Sequence, residues 1–302
     1  MAVSGGSGPL ACGPSLDGTD VTRACLNRGG LVLGVITHYR CESWLAQAIE
    51  SLVSQTRSLD GIVVVDDASE RPPIDIVRRF PGVTLLAAAE NAGPLHLIQT
   101  VIENTSYDAY LQQDADDWSS PDRLALLLAE AERTGAELLG TYSLNVGSDG
   151  AQHSGELRCH PVDVNAAYRQ LPDGWFLTWG TSIVTRDLVM RIGGLATGLR
   201  VAADTDFVRR AHHAARIVNV PRCCYYRRWR PDALTSAPDT GHGSPLRNAE
   251  RTQSRARAVE NAGAVAAGRR PNLSPMAVAP PIELRHILGP PLRGGVAGST
   301  TR

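Results

Sequence analysis

Three carboxylates fall within four positions in the segment Leu111-Gln-Gln-Asp-Ala-Asp-Asp-Trp-Ser-Ser-Pro-Asp-Arg-Leu124. Asp114, Asp116 and Asp117 would repel one another at a dry strand end. Their natural counter-charge is a divalent cation, most simply one that also holds a phosphate. The competing reading is a plain turn. Asp is common where strands stop, and Ser120-Pro-Asp122 has the composition of an ordinary helix start, with Pro121 near the first helical position.

The elements around this cluster decide what it can meet. Leu31-Val-Leu-Gly-Val-Ile-Thr37 and Gly61-Ile-Val-Val-Val65 are apolar runs of strand length, and the second leads directly into Asp66-Asp67. Between them, apolar residues at 44, 45, 48, 49, 52 and 53 repeat with helical periodicity. The chain therefore reads as α/β, a Rossmann-like and mostly parallel central sheet flanked by helices, with a smaller second region. In such a sheet, ligands bind beyond the carboxyl ends of the strands, which brings Thr37, Tyr39, Asp66, Asp67 and the Asp114 cluster to one edge. Residues 1–29, rich in Gly and Ser, read as a flexible lead-in. Residues 31–235 read as one domain, with halves at 31–140 and 141–235. Residues 236–302 read as a helix over Ser244–Ala267 and a tail rich in Pro and Gly.

The order of these segments resembles the inverting glycosyltransferases of family 2, which use nucleotide sugars on a GT-A fold. The resemblance spans about residues 31–230. It is carried by Val35-Ile-Thr-His-Tyr-Arg40, Ala48-Ile-Glu-Ser-Leu-Val-Ser-Gln-Thr56, Val63-Val-Val-Asp-Asp-Ala-Ser69 and Asn91-Ala-Gly-Pro94. It continues through Asp114-Ala-Asp-Asp-Trp118 and Gly193-Gly-Leu195 with Asp204-Thr-Asp-Phe207. It implies that Thr37, Tyr39 and Asp67 hold the nucleoside, with Asp66 as structural support. It adds Gly93, Asp114 and Asp116 to the donor site, and places Asp116 and Asp117 at the ribose and a Mn2+ or Mg2+ ion. Asp204 is then the general base. The implied donor is a nucleoside-diphosphate sugar, a UDP-sugar first, and the acceptor is any free hydroxyl, on a small molecule, lipid carrier, glycan or protein. In such chemistry a cation neutralises the leaving diphosphate, while a carboxylate on the opposite face removes the acceptor proton.

The chain also departs from the family pattern. Ala203 stands where Glu commonly precedes the base, Ile98 replaces a frequent Arg, and Arg40 stands where Asn is usual. The departures at Ala203 and Ile98 motivate an alternative, a catalytically degenerate fold that binds a nucleotide sugar or a partner without turnover. Trp175 and Trp179 offer rings for stacking on a sugar, and the basic run Arg222–Arg230, interleaved with Tyr225, Tyr226 and Trp229, could face a phosphate. Other classes are excluded by their missing loops. No G-x-G-x-x-G follows the first strand, no P-loop is present, and there is no Gly-rich, Arg-containing nucleotidyltransferase loop.

With 30 basic against 31 acidic residues, net charge calls for no nucleic acid. No apolar run approaches the roughly 20 residues that span a bilayer. Cytoplasmic residence is expected, peripheral at a membrane as an option, and the six cysteines are expected to be reduced thiols.

Overall fold

The computed structural model describes residues 26–27, 29–147 and 156–295. Nearly all of the expected lead-in, residues 1–25 and 28, lies outside them. The first half alternates strand and helix: β1 (Val32–His38), α1 (Glu42–Val53), β2 (Gly61–Asp66), α2 (Ile74–Val77), β3 (Val83–Ala88), α3 (Pro94–Asn104) and β4 (Ala109–Asp114). A two-residue β5 (Trp118–Ser119) precedes α4 (Arg123–Thr134). The second half comprises β6 (Leu138–Val146), β7 (Leu157–Arg158), α5 (Val164–Gln170), β8 (Ile183–Thr185), α6 (Arg186–Arg191), α7 (Ala203–Ala211), β9 (Ile217–Arg228), α8 (Pro245–Ala266) and β10 (Leu284–Leu288).

One sheet gathers the strands in the order β10-β3-β2-β1-β4-β8-β6-β9-β5, with β7 on β6. The β3-β2-β1-β4 portion is parallel. Strand order reverses between β1 and β4, the switch point at which open α/β sheets bind ligands. The run of branched apolar residues in β1 and β2 follows from burial on both faces. Alternate residues Leu33, Val35, Val63 and Val65 pack beneath Leu97 and Val101 of α3. Val32, Ile36, Ile62 and Val64 pack with Leu45, Ile49 and Leu52 of α1 and Leu124, Leu127 and Leu128 of α4.

Helix α4 begins later than its sequence suggests. Pro121 lies outside it, Asp122 is the N-cap residue and Arg123 the first helical residue. The reason is tertiary: Gln55, just after α1, donates to the Ser120 carbonyl at 2.7 Å and accepts the Leu124 N–H at 2.9 Å, doing the capping itself. Thr56 N–H donates to the Pro121 carbonyl.

The C-terminal region is built into the domain. Helix α8 packs on α7, where Arg209 donates to Ser254 at 2.8 Å. Beyond it, within the expected tail, β10 pairs antiparallel with β3 and covers that edge of the sheet. Gly289 follows with φ +91, and a Cβ there would sit 2.2 Å from the Val83 carbonyl oxygen. Gly289→Ala should therefore undock this edge and cost roughly 2 kcal/mol of stability, read as a lower urea midpoint.

Candidate active site

The ends of β1 and β2 are fixed by a buried pair. His38 Nδ1 lies 2.7 Å from Asp66 Oδ1, with both side chains fully buried. The Cys41 N–H points at His38 Nε2 at 3.3 Å, so Nε2 accepts and Nδ1 carries the proton donated to Asp66. The other Asp66 oxygen accepts the Ser69 N–H at 3.0 Å. Both residues support the loops, and neither faces a ligand.

Asp67 is also committed to its neighbourhood. Its two oxygens accept the Ala92 and Gly93 N–H groups at 2.7 and 2.9 Å, and Asn91 donates to its carbonyl. Asp67 thus caps the start of α3, where Gly93 takes φ +88 ahead of Pro94. Burial raises its pKa despite these bonds. Each oxygen retains a second lone pair for a ligand. Thr37 pairs in register with Asp114 across the switch point, while Tyr39 stands at the rim, 39% exposed, with the Arg40 guanidinium 5.0 Å from its ring centroid. Ile98, where the resemblance leads one to expect an Arg, is core.

The Asp114 cluster rests on a buried arginine. Arg123, fully buried, donates to Ser119 Oγ at 2.8 Å and to the carbonyls of Gln112 and Gly180 at 2.9 Å each. Its guanidinium stands 5.0 Å from the ring centroid of Tyr225, and the Asp114 N–H donates to the Tyr225 hydroxyl at 3.1 Å. Gly180 closes this layer; a Cβ there would lie 2.8 Å from both Asp114 Oδ2 and the Tyr225 hydroxyl. Burial lowers the Arg123 pKa to about 10, and Asp114 and Asp117 act against that lowering.

The three carboxylates are provided for unequally. Asp117 is buried and its Oδ1 accepts the Arg228 N–H at 2.7 Å. Asp116 receives Arg230 Nε at 2.6 Å, and its carbonyl receives Arg228 Nη1 at 2.6 Å. Burial, then the charge of Asp116, raises Asp114 to about 6, and the same two causes raise Asp117 well above the usual carboxylate range. Arg230, Trp44, Arg228, Trp118 and Tyr226 form a continuous stack behind them. Arg–ring separations are 4.8 to 5.7 Å, and Trp118 lies on Tyr226 at 5.1 Å and 11°.

Asp204 is the second residue of α7 and half-buried. It is near enough for its charge to raise the Asp114 pKa and to act on Arg247. Ala202 before it takes φ 57, and the strained turn is pinned from α8: Glu250 accepts the N–H groups of Arg200 and Val201, while Arg200 reaches Asn91 at 2.7 Å. Asp206 pairs with Arg210 at 2.8 Å inside the core, and Arg210 donates to the Ile192 and Gly194 carbonyls. Among the described residues, the non-glycine positions with positive φ are Arg40, Ala68 and Ala202, all in loops that border this site.

Thr37, Asp67, Gly93, Asp114, Asp116, Asp117 and Asp204 therefore converge on one sheet edge. Trp179 does not join them; it packs edge-to-face on Phe207 in the core. Arg123 and Gly180 were not legible as site residues, while Tyr225 and Arg230 were legible only as members of the basic run 222–230. Among the described residues no group of three or more ligating side chains forms a protein-only metal cage. The donor set suits instead a cation shared with a diphosphate, since Mg2+ commonly takes one or two carboxylates and completes its shell with phosphate and water. Burial is the main cause of the raised Asp114 carboxyl, with the charge of Asp116 second and Arg227 acting against both.

A carboxylate-lined crevice at the switch point of a mostly parallel α/β sheet is the arrangement of the GT-A fold. Residues 35–193, just over half of the chain, match the family described as Glycosyl transferase family 2. The chain belongs to that family. It is 27% identical over 113 residues to EpsE of Bacillus subtilis (strain 168), which bears a glycosyltransferase name; the match spans 36% of this chain and 41% of that protein. In fold it resembles S. aureus TarS in complex with UDP, at TM-score 0.55 and 18% identity over 78% of this chain and 72% of that one. It also resembles TarS in complex with UDP-GlcNAc, at 0.57 and 17% over 78% and 73%. GalNAc-T7 with UDP, GalNAc and Mn2+ matches at 0.57 and 14% over 77% and 48%.

Arg123 should prove a structural requirement. Arg123→Met strands buried carbonyls and removes the charge beneath Asp114 and Asp117, so a loss of about 3 kcal/mol is expected in urea unfolding. An unchanged midpoint would refute this role.

Proposed function

We propose that the chain transfers a sugar with inversion from a nucleoside-diphosphate donor, UDP-linked first, to an acceptor hydroxyl, with Asp204 as general base. What carries the reading is the convergence of Asp67, the Asp114 cluster and Asp204 on the edge where β1 and β4 diverge. The UDP and UDP-GlcNAc complexes of TarS favour uridine as the donor base.

In this reading Thr37, Tyr39 and Asp67 receive the nucleoside, with the second lone pairs of Asp67 facing the base. Gly93 lets the backbone of the 91–93 loop approach closely. Asp114, Asp116 and Asp117 would hold Mn2+ or Mg2+ beside the diphosphate, where a bound cation supplies Lewis-acid neutralisation of the leaving group. Arg227, whose charge lowers the pKa of Asp114 and Asp117, adds positive potential on the same side. Asp204 accepts the proton of the attacking hydroxyl from the opposite face of the sugar, and a single displacement inverts the anomeric carbon. Residues 31–140 would act as the donor half and 141–235 as the acceptor half.

Cys41, Cys159, Cys223 and Cys224 are free thiols, and burial pushes Cys41 up to about 12, an unreactive state. Free thiols favour a reducing, cytoplasmic setting. Among the described residues no helix is long and apolar enough to cross a membrane; peripheral association at a membrane surface remains part of the proposal.

The test separates base from binder. Asp204→Asn should lower sugar transfer by roughly 10²–10⁴-fold with UDP affinity unchanged in calorimetry. Parallel loss of both would sink the assignment of Asp204 as base. A wild-type protein that binds UDP-sugar yet neither transfers nor hydrolyses it would point to the non-catalytic alternative, which Ala203 motivates.

A further inference from the structure

A second cavity opens beside the carboxylate cluster and is chemically its opposite. It holds about 280 Å³, at the small end for ligand clefts, and is lined by Arg158, Arg227, Trp229, Thr235 and His242 among others. Its floor is the β6–β9 pair, where Trp229 N–H donates to the Val146 carbonyl. Arg227 is steadied by the Thr235 hydroxyl at 2.9 Å. Arg158 lies over the Trp175 ring at 5.4 Å, and Glu156, its ion-pair partner among the described residues, is 3.7 Å away and largely exposed. Trp229 is 51% exposed.

The positive potential here exceeds what the lining alone supplies. Arg158 and Arg227 share the lining with Arg228, Arg230 and His242, and the charges of Arg247 and Arg251 also act on His242, whose pKa burial lowers first. The pocket also touches the carboxylate cluster. Of its lining residues, Arg228 donates its backbone N–H to Asp117 Oδ1 at 2.7 Å, and Arg230 donates Nε to Asp116 Oδ2 at 2.6 Å. A group held in this pocket is therefore beside the cluster.

We propose that this pocket is an anion subsite for the acceptor: the hydroxyl compound that receives the sugar carries a phosphate ester, seated between Arg158 and Arg227 with its carbon skeleton against Trp229. The planar guanidinium forks suit phosphate oxygens, and an exposed indole beside them suits the face of a polyol or sugar. This rests on the transferase reading above. The phosphate can belong to a small monoester or to a phosphodiester-linked chain, and the two sources are distinguishable.

The experiment is calorimetry on the full chain with three probes: glycerol 3-phosphate, a synthetic trimer of glycerol phosphate joined by phosphodiesters, and glycerol as the uncharged control. UDP is titrated separately with Mn2+. At least one phosphate probe should bind where glycerol does not, the tighter one naming the source. Arg158→Gln should weaken that binding at least tenfold, Arg158→Lys should restore part of it, and both should leave UDP affinity within twofold. The proposal is overturned if neither phosphate probe binds above glycerol or if Arg158→Gln leaves the affinity unchanged. It is equally overturned if UDP affinity falls in step with that of the probe, which would make the pocket the seat of the donor diphosphate. Absence of UDP binding alongside Arg158-dependent phosphate binding would reject the transferase reading and keep the anion site.

Discussion

The buried guanidinium of Arg123 is the contact on which this site depends. A cation taken out of water costs several kcal/mol unless its donors are satisfied. Here Ser119 and the carbonyls of Gln112 and Gly180 receive it, while Tyr225 covers its face. Those partners come from β4, β5, the segment before β8, and β9. One side chain therefore fixes the relative position of the strands that carry the acidic cluster, and places a charge beneath Asp114 and Asp117 at the same time. Gly180 is required for the same reason, because any side chain there would occupy the space between Asp114 and Tyr225.

Above that layer, the negative charge is compensated unequally. Arg230 takes one oxygen of Asp116 and the Arg228 backbone takes one of Asp117, while Asp114 lies under the longer-range charge of Arg227. The stack of Arg230, Trp44, Arg228, Trp118 and Tyr226 ties the exit of β9 to α1, so these arginines stay beside the carboxylates. Across the crevice, α8 pins the strained turn before α7 through Glu250 and so sets where Asp204 stands. The C-terminal region thus supports the chemistry from outside the matched family segment.

Much of this was legible in the sequence because local pattern and tertiary role agree. The strands β1 and β2 are continuous apolar runs ending in polar residues, and both faces of each are buried. Helices α1, α4 and α8 keep helical periodicity, and the motif order named the edge where the carboxylates gather. The exceptions have a common cause. Strand β10, Leu-Arg-His-Ile-Leu, is a short edge strand with two polar residues, and its pairing with β3 spans nearly two hundred positions. Arg123 at the first position of a helix reads as solvated, and only the arrival of Tyr225 and Gly180 buries it. Arg230 meets Asp116 across 114 positions. Pro121 reads as helical until Gln55 takes over the capping of α4.

The account stands on the Asp114 cluster being the donor diphosphate site. The most direct measurement is a thermal melt of the full chain with UDP in the presence of Mn2+, Mg2+ or a chelator, because a ligand that binds the native state raises the melting temperature. The account predicts a rise with UDP that needs the cation and disappears in Asp114→Asn. An equal rise in the presence of chelator, or none for any nucleoside diphosphate with either metal, would contradict it.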